Sequence, residues 1–177
     1  EEMKFELSNA LEILERTPYV LDAMLSEIPD EWGRQNEGDE TWSAFDVMGH
    51  LVHGERTDWM ARLDIIMSDA DKKTFTPFDR FAQFEESKGK TMNGLLREFT
   101  KLRNDNLDRL VEMSLEKDDF KRVGNHPSLG QVTLSQLIST WVVHDLAHIS
   151  QISRAMAHQF KDEVGPWKEY LRVLEGK

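Results

Sequence analysis

Two histidines, His144 and His148, stand four residues apart in a segment with helical periodicity. Residues at this spacing lie above one another on one helix face, so both imidazoles can reach one ion at about 2.0–2.1 Å. Leu137 and Trp141 precede them on the same stripe, which places the pair on an inward face. Buried imidazoles need a hydrogen-bond partner or a metal. The pair is therefore either part of a metal site or two core histidines bonded to backbone or carboxylate groups.

A third ligand must come from another helix, and His50 and His53 are the candidates. They stand three residues apart and can lean toward one region, although His53 could instead orient a ligand or lie on the surface. Gly54 and Gln151 follow on the two facing stripes, which would leave a cleft beside the ion. Three neutral histidines keep coordination positions open, as catalytic sites do. Zinc, nickel, iron(II) and manganese(II) all suit imidazole ligands.

The charge balance excludes several classes of partner. The chain has 177 residues, 33 acidic against 22 basic, a formal net charge of −11 and no cysteine. Nucleic acids and anionic membranes attract basic surfaces, so we expect neither as a partner. Without cysteine there is no disulfide or thiolate metal ligand. No apolar run approaches the roughly 20 residues of a membrane span, and the N-terminus lacks an apolar signal region, so we expect a cytoplasmic protein.

The apolar periodicity predicts an all-α protein with a single domain over residues 1–177. Helices are expected at about Phe5–Ile28, 43–68, 91–113 and 133–160, with a short C-terminal helix from Pro166 to Leu174. Pro18 should kink or break the first helix, with Thr17 capping the restart. Ser43 and Asp46 have the spacing of a capping box, as do Thr133 and Gln136. No segment shows strand alternation, and four amphipathic helices of this length predict a four-helix bundle.

The connection over residues 70–88 contains four phenylalanines, which is unusual for a free loop. Phe75, Phe78 and Phe81 either line a substrate pocket, with Arg80 contacting an anionic group, or cap the core.

Further residues could surround the ion. Carboxylates that are conceivable as general bases are Glu55, Asp58 and Asp79. Arg103 and Asn106 lie near the inward stripe of the third helix and could belong to the pocket or to the core, while Trp59 and Trp141 are interpreted mainly as core residues. The residues expected to border the ion or its pocket are His53, Gly54, Asp79, Arg80, Trp141 and Gln151.

Several motifs together resemble the DinB-like (DinB/YfiT) family. They are Trp42-Ser43 followed by His50-Leu51, and His144-Asp145-Leu146-Ala147-His148 followed by Gln151-Ile152. The segments His126-Pro127-Ser128-Leu129-Gly130 and Val164-Gly165-Pro166-Trp167 are similar to one branch of that family. The resemblance implies a bundle with up-down-down-up topology and a long link between the second and third helices. It also implies a homodimer and a divalent ion on three histidines, here His50, His144 and His148.

The resemblance also implies a range of activities. Relatives include metal-dependent thiol transferases that use bacillithiol or mycothiol, and a mycothiol-dependent maleylpyruvate isomerase that has Glu where this chain has His144. Our leading hypothesis is a metal-dependent thiol S-transferase acting on a small molecule, and the absence of cysteine fits a thiol supplied from outside. The alternatives are a metal-dependent hydrolase, and a binding or sensing module whose metal is structural.

Overall fold

The computed structural model describes residues 4–175 and shows an all-α four-helix bundle, as predicted. The helices are α1 (Leu7–Leu25), α2 (Asp30–Gly33), α3 (Ala44–Thr57), α4 (Trp59–Met67), α5 (Ala82–Glu86), α6 (Met92–Glu112) and α7 (Leu134–Ala157). Strands β1 (Val123–His126) and β2 (Gly130–Thr133) form one hairpin. Within residues 4–175, no helix is long and apolar enough to cross a membrane.

The bundle consists of α1, the consecutive pair α3–α4, α6 and α7. Helix α6 packs on α1 and α3, and α7 packs on α1, α3 and α4. One apolar cluster joins the start of α1 and of α7 to α4 and the end of α6. A second cluster joins the ends of α1 and α7 to the starts of α3 and α6. Helices α1 and α7 therefore run in one direction and the other two in the opposite one, which confirms the up-down-down-up topology.

Both capping boxes are present and fix where the histidine-bearing helices begin. Ser43 Oγ accepts a hydrogen bond from the Asp46 backbone N–H at 3.2 Å, and Asp46 accepts one from the Ser43 backbone N–H at 2.9 Å. Thr133 and Gln136 repeat the arrangement at 3.2 and 2.9 Å. Such reciprocal bonds satisfy N–H groups that have no partner within the helix.

Of the two outcomes predicted at Pro18, a kink or a break, the break was wrong, because α1 continues through this residue. Proline has no N–H, so the carbonyl of Leu14 loses its intrahelical partner. Arg103 Nη1 donates a hydrogen bond to that oxygen at 2.9 Å. Thr17 does not cap a new helix either, since its Oγ1 lies 2.7 Å from Asp145 Oδ2. Residues of other helices thus form hydrogen bonds with the Leu14 carbonyl, which Pro18 leaves without an intrahelical donor, and with the Thr17 hydroxyl.

Three other expectations need correction. The second predicted helix divides at Asp58, whose φ of −110° and ψ of −72° separate α3 from α4. The region predicted to lack strands holds the β1–β2 hairpin, paired from Val123–Thr133 to His126–Gly130. Its strands have only four residues each, too few to show an alternating pattern. The C-terminal segment forms two short 3-10 helices, Gly165–Tyr170 and Arg172–Leu174, rather than one α-helix.

The long link after α4 is anchored at two glycines. A Cβ on Gly124 of β1 would lie 2.5 Å from the Phe75 ring, so only glycine lets the two segments approach. A Cβ on Gly49 would lie 2.4 Å from Ser87 Oγ. Because glycine has no Cβ, the end of α5 can lie directly on α3. The link therefore passes close to the turn of α3 that carries His50.

Candidate metal centre

His50 of α3 meets His144 and His148 of α7. The Nε2 atoms of His50 and His144 lie 3.1 Å apart, and those of His148 and His144 lie 3.0 Å apart. One ring nitrogen from each of the three residues lies within 4.8 Å of the others. The three residues that the sequence singled out therefore converge on one point.

Packing and one hydrogen bond hold the rings in place. His148 Nδ1 lies 2.8 Å from Gln151 Oε1, an acceptor, so Nδ1 carries the proton and Nε2 keeps its lone pair. The His50 ring lies between Trp42 and Phe78, at centroid distances of 5.0 and 5.5 Å. The ring of His144 lies 5.0 Å from that of Trp59. The Nδ1 atoms of His50 and His144 are buried without a hydrogen-bond partner, so these two rings are oriented by aromatic contacts.

Burial keeps all three imidazoles neutral. Burial, together with the positive charge that His148 would carry, lowers the pKa of His50 to about 3 and that of His144 to about 2. The pKa of His148 is also lowered by burial, although the hydrogen bond to Gln151 opposes this. A neutral imidazole is the form that binds a metal, since its unprotonated nitrogen donates the lone pair.

The arrangement fits a divalent cation. Ligands at about 2.1 Å that subtend about 90–110° at a metal lie about 3.0–3.4 Å apart, in the range of the two Nε2 distances. A cation placed between the Nε2 atoms would accept a lone pair from each of them. No carboxylate of residues 4–175 is close enough to complete the group, so the donor set is three neutral nitrogens. Such a set suits zinc, nickel, iron(II) and manganese(II).

A cleft of about 400 Å³ opens onto the histidines. Its lining residues are Glu40, Thr41, Trp42, His50, Arg80, His148, Gln151 and Arg154. Arg154 is held by the Glu37 carboxylate at 2.7 and 2.9 Å. Among the lining residues, Glu40 is the only carboxylate, and it is exposed. Arg80 and Gln151, both expected near the ion, do line this cleft.

The other predicted neighbours lie elsewhere. His53 is buried and contacts both carboxylate oxygens of Glu86 at 3.1 Å, so it belongs to a separate pair. Gly54 faces the indole of Trp59 instead of the cleft: a Cβ added to Gly54 would lie 3.6 Å from Trp59 Nε1. Asp79 accepts hydrogen bonds from the backbone of Phe81 and Ala82, which makes it a turn-capping residue.

Two of the three conceivable bases are also committed to other partners. Glu55 is buried, and its Oε1 accepts hydrogen bonds from Arg103 at 2.7 Å and from Trp141 Nε1 at 2.9 Å. Its Oε2 accepts one from Asn106 at 3.0 Å. Asp58 is paired with Arg62 at 2.6 Å, and burial raises the pKa of this carboxyl group. Trp141 and Asn106 thus complete the shell of Glu55 and do not line the cleft.

Next to the histidines lies a buried polar layer that the sequence did not reveal. It consists of Thr17, Glu55, Arg103 and Asp145, one residue from each bundle helix, all buried. Arg103 forms a bidentate pair with Asp145, at 2.7 and 2.9 Å. Burial opposes the charge of Arg103, but the carboxylates of Glu55 and Asp145 outweigh it and raise the pKa of the guanidinium. Asp145 directly follows His144, so this layer fixes α7 where it presents the first histidine.

The phenylalanines of the link have different roles. Phe75 is buried in the core against β1, so for this residue the core interpretation is correct. Phe78 covers His50 and His53. Phe81 and Phe84 are exposed beside Trp42, where they border a second cavity.

The comparisons with known proteins agree with this architecture. YfiT from Bacillus subtilis has a similar structure, with a TM-score of 0.73 over 93% of this chain and 92% of that chain at 20% sequence identity. That protein is described as a probable metal-dependent hydrolase with an unusual four-helix bundle topology. No curated protein matches the chain. The family model of the DinB superfamily matches residues 13–152, from α1 to α7, and the chain therefore belongs to this superfamily.

Proposed function

We propose that this protein is a metal-dependent enzyme in which His50, His144 and His148 hold a divalent ion at the floor of the cleft. The observation that carries the proposal is the convergence of three neutral imidazoles beside an open cavity. Bound there, the ion would supply Lewis-acid chemistry, which polarises a carbonyl or favours the ionised form of water or of a thiol. An open cavity beside the ligands favours a catalytic role over a structural one.

The protein's own side chains prepare this chemistry. Gln151 fixes the proton of His148 on Nδ1 and thereby directs the Nε2 lone pair at the site. Trp42 and Phe78 cover two sides of His50 and limit the access of water from there. Arg80 supplies a cation at the mouth of the cleft.

Within this proposal, transfer of an external thiol is the preferred reaction. A thiol has a pKa of about 8.5 and can release its proton to solvent when it binds the ion, whereas water is a far weaker acid and depends more on a nearby base that accepts its proton. Glu55 accepts three hydrogen bonds from other side chains, and Asp58 is paired with Arg62. Among the described residues that line the cleft, the exposed Glu40 is the only carboxylate. This distribution favours a bacillithiol- or mycothiol-type cosubstrate bound at the ion.

Hydrolysis is the second candidate, and the description of YfiT as a metal-dependent hydrolase favours it. In that reaction Glu40 would be the base, because it borders the same cleft as His50 and His148. Glu40→Gln should then abolish hydrolysis, while thiol transfer should survive the same change. The one variant thus separates the two reactions.

Metal content tests the site itself. Purified wild-type protein loaded with zinc should retain about one ion per chain, and His148→Ala should lose most of it because one of three ligands is gone. His158→Ala is the matched control, since this histidine contacts Lys161 and lies outside the triad. Equal metal content in wild type and His148→Ala would contradict the three-histidine site.

Activity and stability then test the role of the ion. We expect metal-loaded protein to accelerate conjugation of bacillithiol or mycothiol to monochlorobimane, with p-nitrophenyl esters as the hydrolytic comparison. Metal-free protein should lose the activity and keep a similar melting temperature. A large fall in melting temperature on metal removal, with no activity in either assay, would favour a structural metal.

A further inference from the structure

A second cavity, of about 430 Å³, adjoins the metal-site cleft. Its lining residues are Glu40, Thr41, Trp42, Arg80, Phe81 and Phe84. The first four also line the cleft at the histidines, so the two cavities are lobes of one groove. One lobe ends at the metal-binding histidines, and the other, which we call the aromatic lobe, is walled by Trp42, Phe81 and Phe84.

The aromatic lobe offers flat apolar surface that the fold does not use. Phe81 is 64% exposed and Phe84 is 38% exposed. Their rings stack at 6.5 Å, and the edge of Phe84 meets Trp42 at 6.1 Å. Aromatic rings gain most from contact with another flat apolar group. A ligand with an aryl group would fill this lobe.

Arg80 stands where the two lobes join, and its charge is available. Its guanidinium carbon lies 5.7 Å from the Trp42 ring and 5.4 Å from the Phe81 ring. Among residues 4–175 it forms no ion pair, whereas Arg154 in the same groove is held by Glu37. Contact with aromatic faces orients the planar guanidinium, which prefers carboxylates as bidentate partners.

The positive charge that an anion would meet in the groove comes from Arg80 and from the proposed ion. Among the residues that line the groove, the charge of Arg154 is compensated by Glu37, and the opposite charges of Arg80 and Glu40 sum to zero. A divalent ion at the histidines would make the sum positive. The rest of the protein is strongly acidic, with a formal net charge of −11, so a positive groove is a local exception.

We propose that the groove binds a small aromatic carboxylate, with the aryl group in the aromatic lobe, the carboxylate on Arg80 and the reacting group toward the histidines. This inference rests on the proposed function for the position of the reacting group. The aromatic lobe and Arg80 contribute to binding whether or not a metal is present. The combined volume of the lobes suits a ligand of this size.

Three related probes test the substrate class by calorimetry on wild-type protein, with and without zinc. Hippurate carries both an aryl group and a carboxylate, N-benzoylglycinamide lacks the charge, and N-acetylglycine lacks the aryl group. We expect hippurate to bind about tenfold more tightly than either analogue, because a charge-assisted hydrogen bond and a buried ring each contribute at least that factor. Equal affinity for hippurate and its amide, or no binding of hippurate, would overturn the proposal.

Single-residue variants test which side chains cause the preference for hippurate over the two analogues. Arg80→Gln should lower hippurate affinity to that of the amide, Phe81→Ala should lower it toward that of N-acetylglycine, and Glu40→Gln should raise it. Arg97→Gln, which alters an exposed arginine on α6, is the control and should change nothing. An unchanged hippurate affinity in Arg80→Gln would refute the role of Arg80. If hippurate discrimination persists but wild-type protein binds no metal, the proposed function fails and the ligand class stands.

Discussion

Replacing Arg103 by leucine should strongly destabilise the metal-free protein. The Arg103 side chain is fully buried, and the carboxylates of Glu55 and Asp145 beside it are each only 1% exposed. The variant would leave two carboxylates in the core without their common cation. Removing one partner of a buried ion pair costs about 3–5 kcal/mol. Because one cation serves two anions here, we expect a loss in the upper half of this range.

Urea unfolding followed by circular dichroism, in EDTA at one pH near 8, measures the difference between the variant and the wild type. The exposed Arg97→Leu is the control, with an expected change within about 0.5 kcal/mol. On the Arg103→Leu background, Asp145→Asn should restore stability, because it removes one of the unpaired charges. A double variant no more stable than Arg103→Leu would refute the reasoning.

Two further predictions concern packing and protonation. Gly124→Ala should cost about 1–3 kcal/mol in the same unfolding assay, because the added Cβ would lie 2.5 Å from Phe75; a neutral effect would show that the link can move away. Metal-free wild type should lose stability as the pH falls below about 6.5, since unfolded histidines bind protons there while His50 and His144 have folded pKa values of about 3 and about 2. Each contributes a loss of about 2 kcal/mol by pH 5. His50→Phe should show a shallower slope, and an equal slope would contradict the assignment.

The local patterns of the sequence were sufficient for the bundle and for the inward position of His144 and His148, whereas the choice of His50 over His53 as the third histidine came from the family resemblance. Capping boxes and apolar stripes are short-range signals, so they placed α3 and α7 and the inward face of α7. The β1–β2 hairpin was missed because its strands have four residues each, too few to show alternation, and the ring that covers Gly124 belongs to Phe75 in a distant segment. The division of the second helix at Asp58 carried no glycine or proline signal.

The surroundings of the site were harder to predict, because the hydrogen-bond and ion-pair partners of a charged residue depend on the tertiary structure. Glu55 and Asp79 have the chemistry of general bases, yet one is saturated by Arg103, Trp141 and Asn106 and the other caps a turn. Asp145 was present in the quoted family motif but had no assigned role. Its burial on Arg103 becomes visible only when α6 and α7 are placed side by side.

Pro18 connects these observations. A proline within α1 frees one carbonyl of its own helix, and that oxygen accepts a hydrogen bond from Arg103, which also holds Glu55 and Asp145. The helix defect therefore contributes to the polar layer that joins all four bundle helices. Apolar clusters on either side of this layer would tolerate small shifts of one helix along another, whereas directional bonds to a single guanidinium would not. Since His144 adjoins Asp145 on α7, the same bonds that fix the helix register fix the distance between His144 and His50.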